Sequence, residues 1–281
     1  MRKFQRPIKR IVVKLGSSQI ADGTMKPKTA QLRRLAQQIG QMRSDGIEVV
    51  VVSSGAIVLG MGALGETRRS KDLAALQARA AIGQAVLMQV YSDLFKKMRL
   101  KCAQVLLTWD DFNNRVRFLN ARQTLEAIIK KGVVPVINEN DTTATEEIKF
   151  GDNDRLSALV ASLLHADLLV MLSDVEGLYD ANQKVFEEVR EITAEIEDVA
   201  GGTKNTHMAC GGMRAKIEAV KIATHSRVPC VITSGMLPQV LTRIVAGERI
   251  GTFFIEKKGK LLTGDDMHEF ICSHFKNSTG R

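Results

Sequence analysis

The stretch INENDTTATEEIKFGDNDRLSA, residues 137–158, holds two polar clusters on either side of a threonine-rich loop. The first cluster, Asn138 to Asp141, follows an apolar run that is typical of a buried strand. The second, Asp152 to Asp154, precedes a helical run, and Asp152 and Asn153 suit the cap of that helix. Either cluster alone has a simpler interpretation as a solvated turn, because Asn, Asp and Gly favour turns for local reasons. Together they predict a strand end and a helix start that share one rim, where ligands bind in open α/β sheets.

Apolar strands and amphipathic helices alternate on both sides of this stretch. Strands are predicted near residues 8–15, 47–52, 103–107, 133–137, 168–172, 228–232 and 251–255, and helices near 29–45, 72–98, 117–131, 156–165, 213–226 and 237–245. The strands are apolar nearly throughout, which is typical of a parallel sheet covered on both faces. We therefore expect an α/β fold: a three-layer sandwich with a mainly parallel central sheet and helices on both faces.

The composition is that of a globular protein, with 281 residues of which 44% are hydrophobic. We expect one domain over residues 1–258, with two lobes that divide near His165, and a polar tail over residues 259–281. No run approaches the roughly 18 consecutive apolar residues of a membrane helix. The basic start, Met1 to Arg10, lacks the apolar core of a signal peptide. A cytoplasmic protein without membrane contact is the expectation.

Metal-binding and nucleic-acid-binding patterns are weak. The four cysteines lack Cys-x-x-Cys spacing, so neither a zinc site nor a disulfide framework is indicated. His268, Cys272 and His274 are close in sequence, but an ordinary amphipathic tail has the same spacing, and we assign no metal ligand to the protein. The net charge of +9 lies largely near the two ends of the chain, without the basic and aromatic alternation that stacks bases. An anionic small substrate explains this charge at least as well as nucleic acid does, and no nucleic-acid partner is expected.

Polar or cationic groups follow four of the predicted strands, and parallel strands should bring them to one rim. A lysine beside Gly-Ser suits a phosphate, because small residues let backbone N–H groups approach and the ammonium is a compact charge. Lys216, at the start of a predicted helix, offers a second cation. Lysines combined with carboxylates indicate phosphoryl transfer, although the P-loop and protein-kinase motifs are absent. The groups are Lys14 with Gly16 and Ser17, Ser54 with Gly55 and Ala56, Asn138 to Asp141, and Ser173 with Asp174.

One dinucleotide-binding pattern is a decoy. Residues 60–65, GMGALG, match G-x-G-x-x-G letter for letter. They begin too far after the preceding strand for a strand-to-helix turn, and no acidic residue follows at a clear second strand end. We therefore expect no nicotinamide cofactor.

Several stretches together resemble the glutamate 5-kinases, a family with the amino acid kinase fold, and the resemblance runs from about residue 8 to 256. Lys-Gly-Ser, Ser-Gly-Ala and Ser-Asp elements are shared widely among amino acid kinases, whereas INEND, FGDND and LQARAAIGQ are much more specific to this family. The stretches are KLGSS (14–18), SSGA (53–56), LQARAAIGQAVLMQVY (76–91), RVRFLNARQTL (115–125), INEND (137–141), FGDNDRLSA (150–158), SDVEGLY (173–179) and GGMRAK (211–216).

The resemblance implies ATP-dependent phosphorylation of the γ-carboxylate of L-glutamate, which gives L-glutamyl 5-phosphate, the first step of proline biosynthesis. Such a carboxylate is already ionised at pH 7, so no general base is required. Repulsion between it and the triphosphate must be overcome, which fits two lysines and Mg²⁺. The resemblance also implies feedback inhibition by proline and a homodimer or homotetramer.

Roles for individual residues also follow from the resemblance. Lys14 and Lys216 would stabilise the transferring phosphoryl group, and Asp154 would hold both lysines. The lobe up to about residue 165 would bind glutamate and the other lobe ATP. The residues for glutamate would be Ser54, Gly55, Ala56, Asp141 and Asn153, and those for ATP would be Lys14, Gly16, Ser173, Asp174, Cys210, Gly211, Gly212, Met213 and Lys216.

The chain departs from the family pattern at three places. Ala209-Cys210 replaces the usual Gly-Thr or Gly-Ser pair, and Ala215 replaces the usual Thr before the second lysine. Both changes bear on nucleotide affinity. Many members also carry a C-terminal PUA domain, of the kind found in RNA-modification enzymes, for which this chain has no room after Ile255.

Two alternatives remain open. Another amino acid kinase could act on a different acid or on a phosphate monoester, although INEND and FGDND argue against it. A catalytically silent binding protein, for RNA given the charge, is disfavoured because both lysines and all the acidic positions are present.

Overall fold

The computed structural model describes residues 1–143, 153–201, 212–257 and 269. Within them, strands and helices alternate along the chain as expected. The strands are β1 Arg10–Leu15, β2 Glu48–Ser53, β3 Cys102–Leu107, β4 Val134–Glu139, β5 Leu168–Ser173, β6 Glu188–Val189, β7 Cys230–Ser234 and β8 Thr252–Phe254. The helices are α1 Ser17–Ile20, α2 Thr29–Ser44, α3 Ala56–Ala63, α4 Leu73–Lys97, α5 Trp109–Asn113, α6 Arg115–Lys130, α7 Asn153–Leu163, α8 Ala194–Gly201, α9 Met213–His225 and α10 Val240–Val245.

The described strands form one eight-stranded sheet in the order β3-β4-β2-β1-β5-β7-β8-β6. Neighbouring strands in it run parallel except β7 and β8, which are antiparallel. The expectation of a mainly parallel sheet is therefore confirmed. β1 lies between β2 and β5, with Lys14 beside Val52 on one side and Met171 on the other. The last residues of these strands consequently meet at one edge of the sheet.

Helices cover both faces of the sheet, so the three-layer arrangement is also confirmed. Successive residues of a strand point to opposite faces, and in β1 Val12 joins one core while Val13 joins the other. The core that contains Val12 is packed by α5, α6, α7, α8 and α9. The core that contains Val13 is packed by α1, α2, α3, α4 and α10. Lys14 has the orientation of Val12 and therefore points towards α7.

The short elements α1, α3, α5, α8 and β6 were not predicted from the sequence. In α3, Gly60 and Gly62 obscure the helical pattern. A Cβ atom at Gly60 would lie 1.9 Å from the carbonyl oxygen of Arg79, and one at Gly83 would lie 1.7 Å from that of Ala56. These glycines let α3 and α4 approach closely. Gly60, the first residue of the G-x-G-x-x-G match, therefore lies at a close contact between two helices.

Among the described helices, α4 is long and apolar enough to cross a membrane by length and composition alone. Only 28% of its most apolar window is buried within the chain. The buried side chains include polar ones, Arg79 and Gln84, and they contact other parts of the protein. Residues 258–268 and 270–281, which include the predicted tail and the group of His268, Cys272 and His274, lie outside the described residues.

Candidate active site

One carboxylate joins two lysines at the end of β1. Lys14 Nζ lies 2.5 Å from Asp154 Oδ1, and Lys216 Nζ lies 3.2 Å from Asp154 Oδ2. The three side chains are less than a tenth exposed, and they come from β1, from the first turn of α7 and from the first turn of α9. The lysine pair predicted from the sequence is therefore brought together around the predicted acid.

Charge compensation explains why Asp154 is ionised in this buried position. Burial by itself would raise the pKa of Asp154, but the charges of Lys14 and Lys216 outweigh it and hold that pKa below its ordinary value. The cluster contains two cations and one anion, so it keeps a net positive charge. A buried site of this kind attracts a phosphoryl group.

An amide side chain on the neighbouring turn organises the other half of the site. Asn153 Nδ2 lies 3.0 Å from Ser54 Oγ and 3.0 Å from Asn138 Oδ1. Its Oδ1 atom is buried and accepts no hydrogen bond from the described part of the chain. Asn153 is the first residue of α7 rather than its cap, contrary to expectation, and Asp152 lies outside the described residues. The orphaned oxygen is suited to a donor on a ligand, such as an ammonium group.

A series of hydrogen-bonded amide side chains orients Asn153. Asn138 Nδ2 donates to Gln84 Oε1 at 2.9 Å, and Gln84 Nε2 donates to Gln104 Oε1 at 2.9 Å. These residues belong to β4, α4 and β3. Each bond fixes the orientation of the next amide, so the series sets which atom of Asn153 faces the cleft.

The end of β5 forms a third side of the site. Ser173 Oγ donates to Asp174 Oδ1 at 2.9 Å. The carbonyl oxygen of Ser173 accepts from Gln19 Nε2 at 2.7 Å and from the Gly235 backbone N–H at 3.0 Å. Gln19 also accepts a hydrogen bond from Gln31, a buried residue of α2. Gln19 therefore links α1 to the end of β5 and to α2.

These parts line one cleft at the carboxyl ends of the central strands, the rim at which the sequence analysis expects a ligand. Its walls include Ser17 and Asn138, which belong to the predicted strand-end groups, and four residues without a predicted role, Ser18, Ile57, Val58 and Arg69. Asp154 contacts both lysines of the cleft. Gly212 and Met213 lie at the start of α9, close in sequence to Lys216. Cys210 and Gly211 lie outside the described residues. The predicted residues that line the cleft are Lys14, Gly16, Ser54, Gly55, Ala56, Asp141, Asn153, Ser173, Asp174 and Lys216.

Two glycines of the cleft differ in what they require. Gly55 has a φ of +103°, and a Cβ there would lie 2.7 Å from Ile20, so both conformation and space demand glycine. Gly16 has ordinary backbone angles, and its Cβ would make only ordinary contacts, the nearest at 3.6 Å. Packing against the described residues therefore does not require a glycine at position 16.

The described residues contain no group of three or more His, Cys, Asp or Glu side chains able to hold a metal by themselves. Mg²⁺ bound to a nucleotide does not need one, because it is held by phosphate oxygens, water and one or two carboxylates. Asp174, whose carboxylate lines the cleft beside Ser173, fits that requirement.

The sequence did not reveal several residues of the site. Gln19 and Gln84 make contacts with partners 154 and 54 positions away, respectively. Gln84 does follow Gly83 in the stretch LQARAAIGQ, whose specificity was a signal. Arg69 lies in a loop without a recognisable pattern. That Arg69 lines the cleft is seen only in the three-dimensional structure.

The amino acid kinase family model matches residues 9–234 of this chain. Glutamate 5-kinase from Carboxydothermus hydrogenoformans is 48% identical over 267 residues, which cover 92% of this chain and 71% of the relative. Glutamate 5-kinase from Deinococcus radiodurans is 47% identical over 252 residues, which cover 88% of this chain and 69% of the relative. The resemblance drawn from the motifs is therefore confirmed.

A solved structure shares the fold. The crystal structure of UMP kinase from Bacillus anthracis superposes with a TM-score of 0.60, over 92% of this chain and 100% of that chain. The two sequences are only 19% identical, so the likeness concerns the fold alone.

Proposed function

The chain belongs to the amino acid kinase family, and we propose that it transfers the γ-phosphoryl group of ATP to the γ-carboxylate of L-glutamate. The product is L-glutamyl 5-phosphate, the acyl phosphate that begins proline biosynthesis. The observation that carries the proposal is the pair of buried lysines joined by Asp154 at the edge of a cleft that also holds Asn153 and Asp141.

The lysines perform the electrostatic part of the reaction. A carboxylate that attacks a triphosphate must approach a group of the same sign, and negative charge spreads over the phosphoryl oxygens in the transition state. Lys14 and Lys216 stabilise that charge, and Asp154 positions both ammonium groups without neutralising them fully. The glutamate γ-carboxylate is ionised at neutral pH, so the residues need not remove a proton before attack.

Glutamate occupies the side of the cleft formed by β2, β4 and the start of α7. Ser54 and the backbone at Gly55 and Ala56 contact it, and the Asp141 carboxylate matches its ammonium group. The orphaned Oδ1 of Asn153 supplies a further acceptor for that ammonium. The lobe up to about residue 165 thus binds the amino acid.

ATP occupies the other side, formed by β5 and the start of α9. In the proposal, ATP contacts Gly16, Ser173, Asp174, Gly212, Met213 and the two lysines. It also contacts Cys210 and Gly211, which lie outside the described residues. Mg²⁺ would accompany the nucleotide, with Asp174 as its carboxylate, and would add to the positive charge on the phosphates. Cys210 and Ala215 lack the hydroxyl groups usual in the family at these positions, and Ala209 replaces a glycine, so we expect weaker nucleotide binding.

A substrate panel tests the proposal. Hydroxylamine converts an acyl phosphate into a hydroxamate. The phosphoanhydride that forms when a phosphate monoester is the acceptor gives no hydroxamate. We expect hydroxamate with ATP, Mg²⁺ and L-glutamate, and none with L-aspartate or N-acetylglutamate. Consumption of ATP with UMP as acceptor instead would favour a phosphate-monoester kinase, the alternative raised by the shared fold.

The remaining expectations stay predictions of the family resemblance. A homodimer or homotetramer is tested by light scattering, and feedback by proline is tested by adding proline at subsaturating glutamate. We expect an enzyme that uses ATP and glutamate to act in the cytoplasm.

A further inference from the structure

Arg69 is a cation that lines the cleft and that the family motifs do not include. It lies in the loop between α3 and α4 and lines the same cleft as Ser54, Asp141 and Asn153. Arg69 is an exposed residue that lines the cleft, so a substrate in the cleft can reach it. Its position raises the question of which substrate charge it faces.

The charges of the substrate answer that question, on the premise that the proposed function is correct. Glutamate carries a γ-carboxylate, an α-carboxylate and an ammonium group. The γ-carboxylate must reach the phosphoryl group beside Lys14 and Lys216, and Asp141 matches the ammonium. Among the described residues that line the cleft, the cations are Lys14, Lys216 and Arg69. The α-carboxylate therefore has Arg69 as its matching charge, and a guanidinium suits a carboxylate because it can donate two parallel hydrogen bonds.

The loop that carries Arg69 is anchored on both sides. On one side, Glu66 forms an ion pair with the buried side chain of Arg79 in α4. On the other side, Asp72 accepts a hydrogen bond from the Ala75 N–H at 2.8 Å and caps α4. Arg69 lies midway between these two anchors. Because α3 and α4 are also packed tightly through Gly60 and Gly83, both ends of the loop are held in place.

We propose that Arg69 binds the α-carboxylate of the amino-acid substrate and thereby selects a free α-amino acid that carries a distal carboxylate. Together with the lysine pair and Asp141, it gives the substrate three charged attachment points. Three points also distinguish L-glutamate from D-glutamate, because inversion at Cα exchanges the directions of the ammonium and the carboxylate.

The test compares Arg69→Met with Arg68→Met. Arg68 is the adjacent, exposed arginine and does not line the cleft, so it controls for the loss of a positive charge from the same loop. We expect Arg69→Met to raise KM for L-glutamate about 10- to 100-fold, the loss typical of a charged hydrogen-bonded pair. The kcat and the KM for ATP should stay within about threefold of wild type, since Arg69 touches neither reacting group. Arg68→Met should leave all three constants unchanged, and Arg69→Lys should restore part of the affinity.

A substrate analogue separates direct contact from a general effect on the loop. In the α-amide of glutamate, the γ-carboxylate and the ammonium remain but the α-carboxylate is neutral. We expect wild type and Arg69→Met to use it equally well, as a substrate or, when turnover is slow, as a competitive inhibitor. The inference is overturned if Arg69→Met keeps the wild-type KM for glutamate, or if the variant loses affinity for the amide as much as for glutamate. Failure of the proposed function gives a different result, because wild type itself would then form no hydroxamate from glutamate.

Discussion

Lys14 Nζ and Asp154 Oδ1 are 2.5 Å apart, in a pair whose side chains are only 7% and 4% exposed. The other oxygen of the same carboxylate contacts Lys216, so the acid separates two ammonium groups that would otherwise repel each other. Such an arrangement is costly to bury, because each ion gives up its hydration. Binding of a phosphoryl group would explain why the protein keeps this costly cluster, because the two lysines supply the positive charge that such a group needs.

Replacing Asp154 tests the role of the bridge. Asp154→Asn leaves two buried cations without a counter-charge, and we expect a loss of about 3–5 kcal/mol in the free energy of unfolding. The kcat should fall at least about 100-fold, because both lysines lose their orientation. Urea unfolding and steady-state kinetics measure the two effects. The control is Glu248→Gln, which breaks a half-exposed pair with Arg243 and should cost no more than about 1 kcal/mol. A kcat for Asp154→Asn equal to that of wild type would show that catalysis does not need the carboxylate between the two lysines.

The pH dependence of stability provides a second test. Burial raises the pKa of Asp154, the two lysines lower it more, and the net result lies below its ordinary value of 3.8. A depressed pKa means that the folded protein binds fewer protons than the unfolded chain. The stabilisation is therefore complete above the unfolded pKa and is lost as the pH falls through the folded one. We expect the difference in unfolding free energy between wild type and Asp154→Asn to be constant from about pH 5 to 8 and to narrow below about pH 4. Narrowing between pH 5 and 7 would contradict the assignment.

Gln19 should affect the nucleotide more than the amino acid. Gln19→Leu removes the side-chain donor to the Ser173 carbonyl, which keeps only the Gly235 N–H. We expect a rise of about 3- to 10-fold in KM for ATP and little change in KM for glutamate. Gln38→Leu is the control, since this buried glutamine of α2 binds the Leu241 N–H, away from the cleft. It should lower stability without changing either KM. Equal changes in KM for ATP in the two variants would refute a positioning role for Gln19.

The close packing of α3 on α4 makes Gly83 sensitive to substitution. A Cβ there would lie 1.7 Å from the Ala56 carbonyl oxygen, so the helices must move apart. We expect Gly83→Ala to cost about 3 kcal/mol in the free energy of unfolding and to weaken glutamate binding through Ala56. Gly40→Ala in α2 is the matched control, because its Cβ would meet Met98 at an ordinary 3.5 Å. That change should stabilise the protein by about 0.5–1 kcal/mol. Thermal unfolding of both variants measures the difference in stability. Similar stability changes in both would show that the α3–α4 contact accommodates a methyl group at position 83.

The sequence predicted the parts of the fold that depend on local patterns. β1 and β5 are mainly apolar strands that lead into polar residues, and their parallel alignment brings Lys14 and Ser173 to one rim. The lysine pair and Asp154 were assigned through the family resemblance, and the geometry is consistent with that assignment. The helix that carries Asp154 begins at Asn153, three residues earlier than the apolar pattern indicated, because periodicity does not detect a polar first turn.

The sequence could not predict contacts that depend on three-dimensional assembly. Gln84 reads as an ordinary polar residue of an alanine-rich helix, yet its amide is buried against Asn138. The α3 helix was missed because it is apolar nearly all round and contains two glycines. Arg69 was missed because a loop carries no periodicity, and only the anchors on either side of it place it over the cleft.

Isotope transfer tests the central claim most directly. L-Glutamate labelled with ¹⁸O in its γ-carboxylate is incubated with the protein, ATP, Mg²⁺ and hydroxylamine, and the phosphate released is examined by ³¹P NMR. If the γ-carboxylate attacks the γ-phosphorus, hydroxylamine then cleaves the acyl bond and the phosphate keeps one labelled oxygen. We predict singly labelled phosphate that depends on glutamate and disappears in Lys14→Ala. Phosphate without label, formed at the same rate with or without glutamate, would contradict the account.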